Sequence, residues 1–225
     1  MNVRVKICGI NEAEAIDAAI AAGADWVGFV FFPPSPRCVT PAQARALSAR
    51  HPATAARRGA GRVGLFVDPD PGAVAEVLDA LALDALQVYG PRAKAVALRE
   101  HFGVPVWHAI GIAGAADLPQ SAEGVDALLL DAKPARDATR PGGNAHRFDW
   151  SVLRGWAAPL PWILAGGLTL DNVADAIAAT GASAVDVSSG VESAPGRKDT
   201  ALIRRFISVA KGVSADTPSR LHAPA

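Results

Sequence analysis

The chain has 225 residues, 50% of them hydrophobic, enough to bury a large core and ordinary for one barrel-sized domain. Lys plus Arg equals Asp plus Glu at 22 each, so no strong net field favours nucleic acid or an acidic membrane surface. Two cysteines, Cys8 and Cys38, lie without Cys/His ligand spacing, which argues against a disulfide framework or a zinc site and fits a reducing cytoplasm. The amino terminus runs straight into a strand and no apolar run reaches membrane-spanning length, so a soluble cytoplasmic protein is expected.

Taken in order, Val3–Gly9 reads as a strand ending at a Cys-Gly corner. Asn11 with Glu14 three residues on forms a capping-box pattern for a helix that stops at Gly23. The second strand, Asp25–Phe31, opens into Phe32–Arg37, where Pro33, Pro34 and Pro36 forbid regular structure. Thr40-Pro41-Ala42-Gln43 restarts a helix with cap, N1 proline and N3 glutamine. His51–Gly61 reads as a solvated loop on the far side of the fold. Arg62–Val67 is the third strand, and Asp70-Pro71 opens a helix with Val74, Val77, Leu78 and Leu81 on one face.

Leu86–Gly90 ends the fourth strand and Pro91–His101 follows as a helix. Val104–Ile110 is the fifth strand, and a weak helix over Ala115–Ser121 leads to the sixth, Ala127–Leu130, ending at Asp131. A long polar loop runs to Arg147, and Phe148-Asp149-Trp150 begins a sixth helix. Trp162–Ala165 and Ala184–Val187 are short apolar strands, with a helix between them stopped by Gly181. The last helix, Thr200–Lys211, carries Ile203, Phe206, Ile207 and Ala210 on one face. Eight strand–helix repeats are the rhythm of a (β/α)8 TIM barrel, an α/β fold, over residues 1–211. Residues 212–225 show no apolar periodicity and read as a disordered tail.

Gly166-Gly167 and Ser188-Ser189-Gly190 follow the last two strands, bringing bare backbone N–H groups and small hydroxyls to neighbouring loop ends. Such donors form an anion site, and in these barrels a phosphate sits after strands 7 and 8. The same rule places the chemistry at the carboxyl ends of the strands. Candidates there are Cys8, Arg37, Asp68, Gln87, Tyr89, His108 and Asp131. Cys8, last in its strand and two after Lys6, is assigned a function above packing. Asp131, closing a run of three leucines, is costly to bury without a role or a partner. Arg37 on its proline-stiffened loop suits a carboxylate. Asp68 reads as a turn residue, His108 as a polar core residue, and Cys38 as incidental. Two well-placed carboxylates, as glycoside hydrolysis needs, are not found.

K-I-C-G at 6–9, F-x-P-x-S-P-R at 31–37, L-Q-V-Y-G at 86–90, L-L-L-D-A at 128–132, G-G-N-A at 142–145, F-D-W at 148–150, L-A-G-G-L at 164–168 and D-V-S-S-G-V-E-x-x-P-G-x-K-D at 186–199 carry a resemblance. Over residues 3–211 the chain resembles phosphoribosylanthranilate isomerase of tryptophan biosynthesis. That resemblance implies a cofactor-independent Amadori rearrangement of N-(5-phosphoribosyl)anthranilate to 1-(2-carboxyphenylamino)-1-deoxyribulose 5-phosphate. It implies Asp131 as general acid, Cys8 as thiolate base, Arg37 on the anthranilate carboxylate, and backbone groups around Gly143, Gly167, Ser189 and Gly190 on the phosphate. The partner is then a small-molecule substrate, and the chain a monomer or a homodimer. Two positions depart from the family pattern: Tyr89 stands where His is common, and Gly-Gly-Asn-Ala ends in Ala145 rather than Gly. Neither is expected to touch Cys8 or Asp131, so activity is expected. A sister isomerase of histidine biosynthesis carries an aspartate where Cys8 stands. A silent phosphate-binding barrel has no need of both Cys8 and Asp131.

Overall fold

The computed structural model describes residues 3–52, 59–121, 123–134, 142 and 147–213. Eight parallel strands close into a barrel in sequence order. They are β1 (Arg4–Cys8), β2 (Trp26–Val30), β3 (Gly61–Val67), β4 (Ala85–Tyr89), β5 (Val106–Ile112), β6 (Ala127–Ala132), β7 (Trp162–Leu164) and β8 (Ala184–Val187). The ring closes through β8 and β1, where Lys6 stands in register with Asp186. Six α-helices lie among the described residues: α1 (Ala13–Ala21), α2 (Pro41–Ala49), α3 (Pro71–Ala80), α4 (Arg92–Phe102), α5 (Val173–Thr180) and α6 (Thr200–Gly212). The (β/α)8 class expected from the repeat is the one observed. No described helix is long and apolar enough to cross a membrane.

Strand alternation divides the buried residues into two cores. One lies between strands and helices; it includes Val5, Ile7, Val27, Phe29, Leu86 and Val88 together with the α6 face Ile203, Phe206, Ile207 and Ala210. Burying each such large side chain stabilises by about 1.5–3 kcal/mol. The second fills the barrel: Val63, Ala85, Trp107, Leu129 and Ile163, with Tyr89 and Ala165 toward the carboxyl end. Lys6, Cys8, Gln87, Asp131 and Asp186 share the inward parity of these interior positions.

The amino-terminal rim is pinned by a repeated device. Asp25, Asp84 and Asp126 each immediately precede an even-numbered strand. Each carboxylate accepts a hydrogen bond from a backbone N–H of the preceding strand: Val5 N at 2.8 Å, Arg62 N at 2.6 Å and Val106 N at 2.8 Å. A charge-assisted bond at the same place in three strand pairs sets their stagger.

Several local expectations need correction. Asn11 does not cap α1; Glu12 occupies that place without a side-chain cap bond. The Asn11 amide instead donates to Gly196 O at 2.9 Å, tying the chain after β1 to the segment after β8. The weak helix expected over Ala115–Ser121 is one 3-10 turn, Ala115–Asp117, cut off by Pro119. The helix expected from Phe148 is likewise one turn, Trp150–Leu153, because Gly155 turns left-handed at φ 75°. Thr40 and Gln43 make the expected reciprocal cap of α2, and Asp70 caps α3. Gly212 belongs to α6 rather than to a tail, and residues 214–225 lie outside the described residues.

Candidate active site

The carboxyl end of the barrel opens into a cavity of about 630 Å³, open mouth included, within the range of small-molecule sites. Cys8, Arg37, Asp131, Gly166, Gly167, Ser188 and Ser189 all line it. Gly143 lies outside the described residues, as do Asn144 and Ala145; their neighbour Gly142 lines the cavity.

Asp131 stands on β6, 6% exposed, with both oxygens engaged. Oδ1 accepts from its neighbour's backbone, Ala132 N, at 2.8 Å, and Oδ2 accepts from the Tyr89 hydroxyl at 2.7 Å, so the departure at Tyr89, expected to leave Asp131 untouched, bears on it directly. Burial pushes this carboxyl up to about 6, against the opposing pull of those two donors. Burial and the adjacent Asp131 in turn push the Tyr89 hydroxyl well above its ordinary value, so Tyr89 remains a donor. Glycine is required on both sides of the carboxylate. A Cβ on Gly142 would overlap Asp131 Oδ2 and the Tyr89 hydroxyl. One on Gly166, at φ 83°, would stand 2.5 Å from Ala132 N and 3.0 Å from Asp131 Oδ1.

Cys8 faces Asp131 from the other side of the barrel, 3% exposed. Burial pushes its thiol above the ordinary value, opposed most strongly by the Lys6 ammonium. Lys6 is fully buried and donates to Asp186 Oδ1 at 2.9 Å.

Arg37 closes the third side. Its side chain passes over Gly9, where a Cβ would stand 2.5 Å from Arg37 Cδ. Its Nε and one terminal nitrogen donate to the two oxygens of Glu192 at 2.6 and 2.8 Å. Glu192 opens a hairpin of β9 (Glu192–Ala194) and β10 (Arg197–Lys198) that follows β8. Lys198 donates to the same carboxylate at 2.8 Å and to Ser188 O at 3.0 Å. Burial would raise the Glu192 carboxyl, but the two cations hold it below the ordinary range. Burial lowers the Lys198 ammonium, with Glu192 opposing. One buried network thus joins Arg37 to the Ser188–Ser189 loop.

At that loop and its neighbour the backbone is shaped for an anion. Gly166 and Gly167 both take positive φ, 83° and 62°, and their N–H groups have no acceptor among the described residues. Asn172 donates to Gly167 O at 2.9 Å and accepts from Thr169 N at 2.8 Å, fixing the loop after β7. Gly190 has no room for a Cβ against the Leu168 carbonyl, so the two loops touch backbone to backbone. The Ser188 hydroxyl donates to Cys8 O at 3.2 Å, which engages it within the protein.

Of the other candidates, Asp68 is an exposed turn residue at φ 43° that pairs with Lys94. His108 has the opposite strand parity from Trp107, and its Nε2 meets Gly90 O at 2.9 Å. Gln87 is buried, with neither amide atom partnered among the described residues. Sequence reasoning missed Lys6–Asp186 and Glu192–Lys198 as pairs. A signal existed: each of Lys6 and Asp186 is a charge in the middle of a short buried strand, which demands a partner. No group of three or more metal-ligating side chains occurs among the described residues.

Known proteins resemble this chain over nearly its whole length. The sequence model of the N-(5'phosphoribosyl)anthranilate (PRA) isomerase family matches residues 5–209. The N-(5'-phosphoribosyl)anthranilate isomerase of Acidiphilium cryptum is 55% identical over 209 residues, 92% of this chain and 98% of that one. The phosphoribosyl anthranilate isomerase structure from Thermotoga maritima superposes with a TM-score of 0.81 at 36% identity, covering 93% and 99% of the two chains. A further isomerase structure, solved in complex with reduced 1-(o-carboxyphenylamino)-1-deoxyribulose 5-phosphate, gives a TM-score of 0.78 at 35% identity over the same shares. With its family model matched across all eight strands, the chain belongs to the N-(5'-phosphoribosyl)anthranilate isomerase family.

Proposed function

We propose that this cavity converts N-(5-phosphoribosyl)anthranilate to 1-(2-carboxyphenylamino)-1-deoxyribulose 5-phosphate, with Asp131 as general acid and Cys8 as general base. The observation that carries the assignment is one cavity lined by a carboxyl raised to about 6, a thiol on the opposite wall, a buried arginine and two glycine- or serine-rich loop ends. Asp131 gives its proton to the ribose ring oxygen as the C1–O bond breaks, leaving an iminium between C1 and the anthranilate nitrogen. Cys8 takes the proton from C2, and the electron pair moves into an enolamine. Tautomerisation returns a proton to C1 and leaves the ketone at C2, so atoms and electrons balance without a cofactor.

Arg37 takes the anthranilate carboxylate through the guanidinium edge that Glu192 leaves open. The phosphate goes to the N–H groups of Gly166, Gly167, Ser189 and Gly190, with Gly143 and Ser188 completing that end. A solved relative that holds a reduced aminodeoxyribulose phosphate supports the substrate class. The protein acts in the cytoplasm, where Cys8 stays a thiol, as a monomer or a homodimer on a small-molecule substrate.

The test is the loss of anthranilate-type fluorescence when the protein meets phosphoribosylanthranilate generated in situ. Rapid, saturable loss is expected, with turnover abolished in Asp131→Asn and lowered by several orders of magnitude in Cys8→Ser, since an alcohol is a far weaker base than a thiolate. Turnover within a few-fold of the parent in either variant removes that residue from the mechanism. No turnover by the unmodified protein overturns the activity.

A further inference from the structure

Lys6 is among the largest fully buried side chains of the described residues. An ammonium in that position is unexpected on stability grounds, because an apolar residue of similar size is commonly as stable or more so than a buried ion pair. Its surroundings are built around it. In register on one side stands Asp186, which accepts its hydrogen bond at 2.9 Å; on the other side β2 presents Gly28, the register partner of Cys8. A Cβ at Gly28 would stand 3.0 Å from Lys6 Nζ and 3.1 Å from Cys8 Sγ, so the glycine vacates the space where ammonium and thiol meet. Those two distances limit the Nζ to Sγ separation to at most about 6 Å, the range over which a charge acts strongly on its neighbour. Asp186 and Cys8 line the cavity while Lys6 lies beneath them.

We propose that Lys6 is a positioning residue that makes Cys8 usable as a base: its ammonium, anchored by Asp186, is the counter-charge of the thiolate. This rests on the reading of Cys8 as the base. Without Lys6 the thiol would ionise next to an unneutralised Asp186 carboxylate in a buried site. The other charged or titratable groups around the thiol are Lys198 from β10, Arg37 over Gly9, and Tyr89 and Asp131 on the far wall. Of these, only Lys198 also favours the thiolate appreciably, and Lys6 outweighs it. Lys6 itself stays charged, because Asp186 and the thiol outweigh the burial that would lower it.

The test reads the thiol directly. In a Cys38→Ser background Cys8 is the only cysteine, and its rate of alkylation by iodoacetamide is followed against pH. Lys6→Met should move the alkylation midpoint up by about one to three pH units, and Asp186→Asn should move it down. A purely structural pair would shift both variants in the same direction. If Lys6→Met fails to fold, Lys6→Met/Asp186→Asn, which buries no unpaired charge, is compared with Asp186→Asn alone, and the same upward shift is expected. Midpoints that do not move, or move together, in folded protein overturn the proposal. Because alkylation needs no turnover, a failure of Cys8 as the base would appear separately, as a Cys8→Ser variant that still isomerises.

Discussion

Replacing Tyr89 with phenylalanine probes the acid more cleanly than replacing the acid itself. The Tyr89 hydroxyl donates to Asp131 Oδ2 at 2.7 Å, and both residues are buried. A hydrogen bond to a charged acceptor is worth about 1.5–3 kcal/mol, or roughly one to two pKa units. In Tyr89→Phe the Asp131 carboxyl, already at about 6, should therefore rise to roughly 7–8. With Asp131 as the proposed acid and Cys8 as the proposed base, the reaction needs the first protonated and the second ionised, yet Cys8 holds its proton to higher pH than Asp131 does. The productive state is a minority ionisation form, abundant in proportion to thiolate at low pH and constant between the two pKa values. The profile of kcat/KM should thus rise tenfold per pH unit, level off near 6, and fall only above the Cys8 value. Its lower corner belongs to the acid, although it has the shape of a base ionising. Tyr89→Phe should move that corner to roughly 7–8 while leaving kcat/KM near pH 5 close to the parent value, because there Asp131 is protonated in both. A corner that stays near 6 would refute the assignment of that limb to Asp131.

Two further outcomes are expected. The Asp131 carboxyl is raised from 3.8 to about 6 on folding, so the folded state binds the proton more tightly and stability falls as pH rises through that window. A rise of that size corresponds to about 3 kcal/mol lost by pH 7. Asp131→Asn, expected to be inactive, should melt up to roughly 6–12 °C higher at pH 8, with the gain vanishing below pH 4; an equal gain at both pH values would contradict the linkage. Arg37→Ala should raise KM for the substrate by roughly 10–150-fold, the loss of one charge-assisted contact, with much less effect on competitive inhibition by inorganic phosphate. Equal losses in both would remove the carboxylate role.

The amino-acid sequence by itself determined the order of elements and the floor of the site. Strand-sized apolar runs, the Thr40–Gln43 and Asp70 caps, and the stop at Gly181 are local signals, encoded within a few residues of where they act. Because a parallel barrel turns strand ends into a single face, naming the last residue of each strand was enough to gather Cys8, Asp131 and the glycine- and serine-rich loops after β7 and β8. Local signals misled where a distant group competed. Asn11 looked like a cap, yet its amide goes to Gly196, 185 residues away. The helices expected after β5 and β6 shrank to single turns once Pro119 and Gly155 interrupted them.

Only the tertiary structure decided which charges meet. Lys6 with Asp186 lies 180 residues apart in the chain, and Arg37 with Glu192 lies 155 apart. Neither pair leaves a periodic trace, because a buried charge constrains its partner in space and not in sequence. Barrel closure through β8 and β1 creates the first pair, and the hairpin that follows β8 creates the second. Tyr89 shows the same division. Its polarity was readable at once, but its use as the donor that holds Asp131 follows only from β4 and β6 facing the same interior, with Gly142 closing over both.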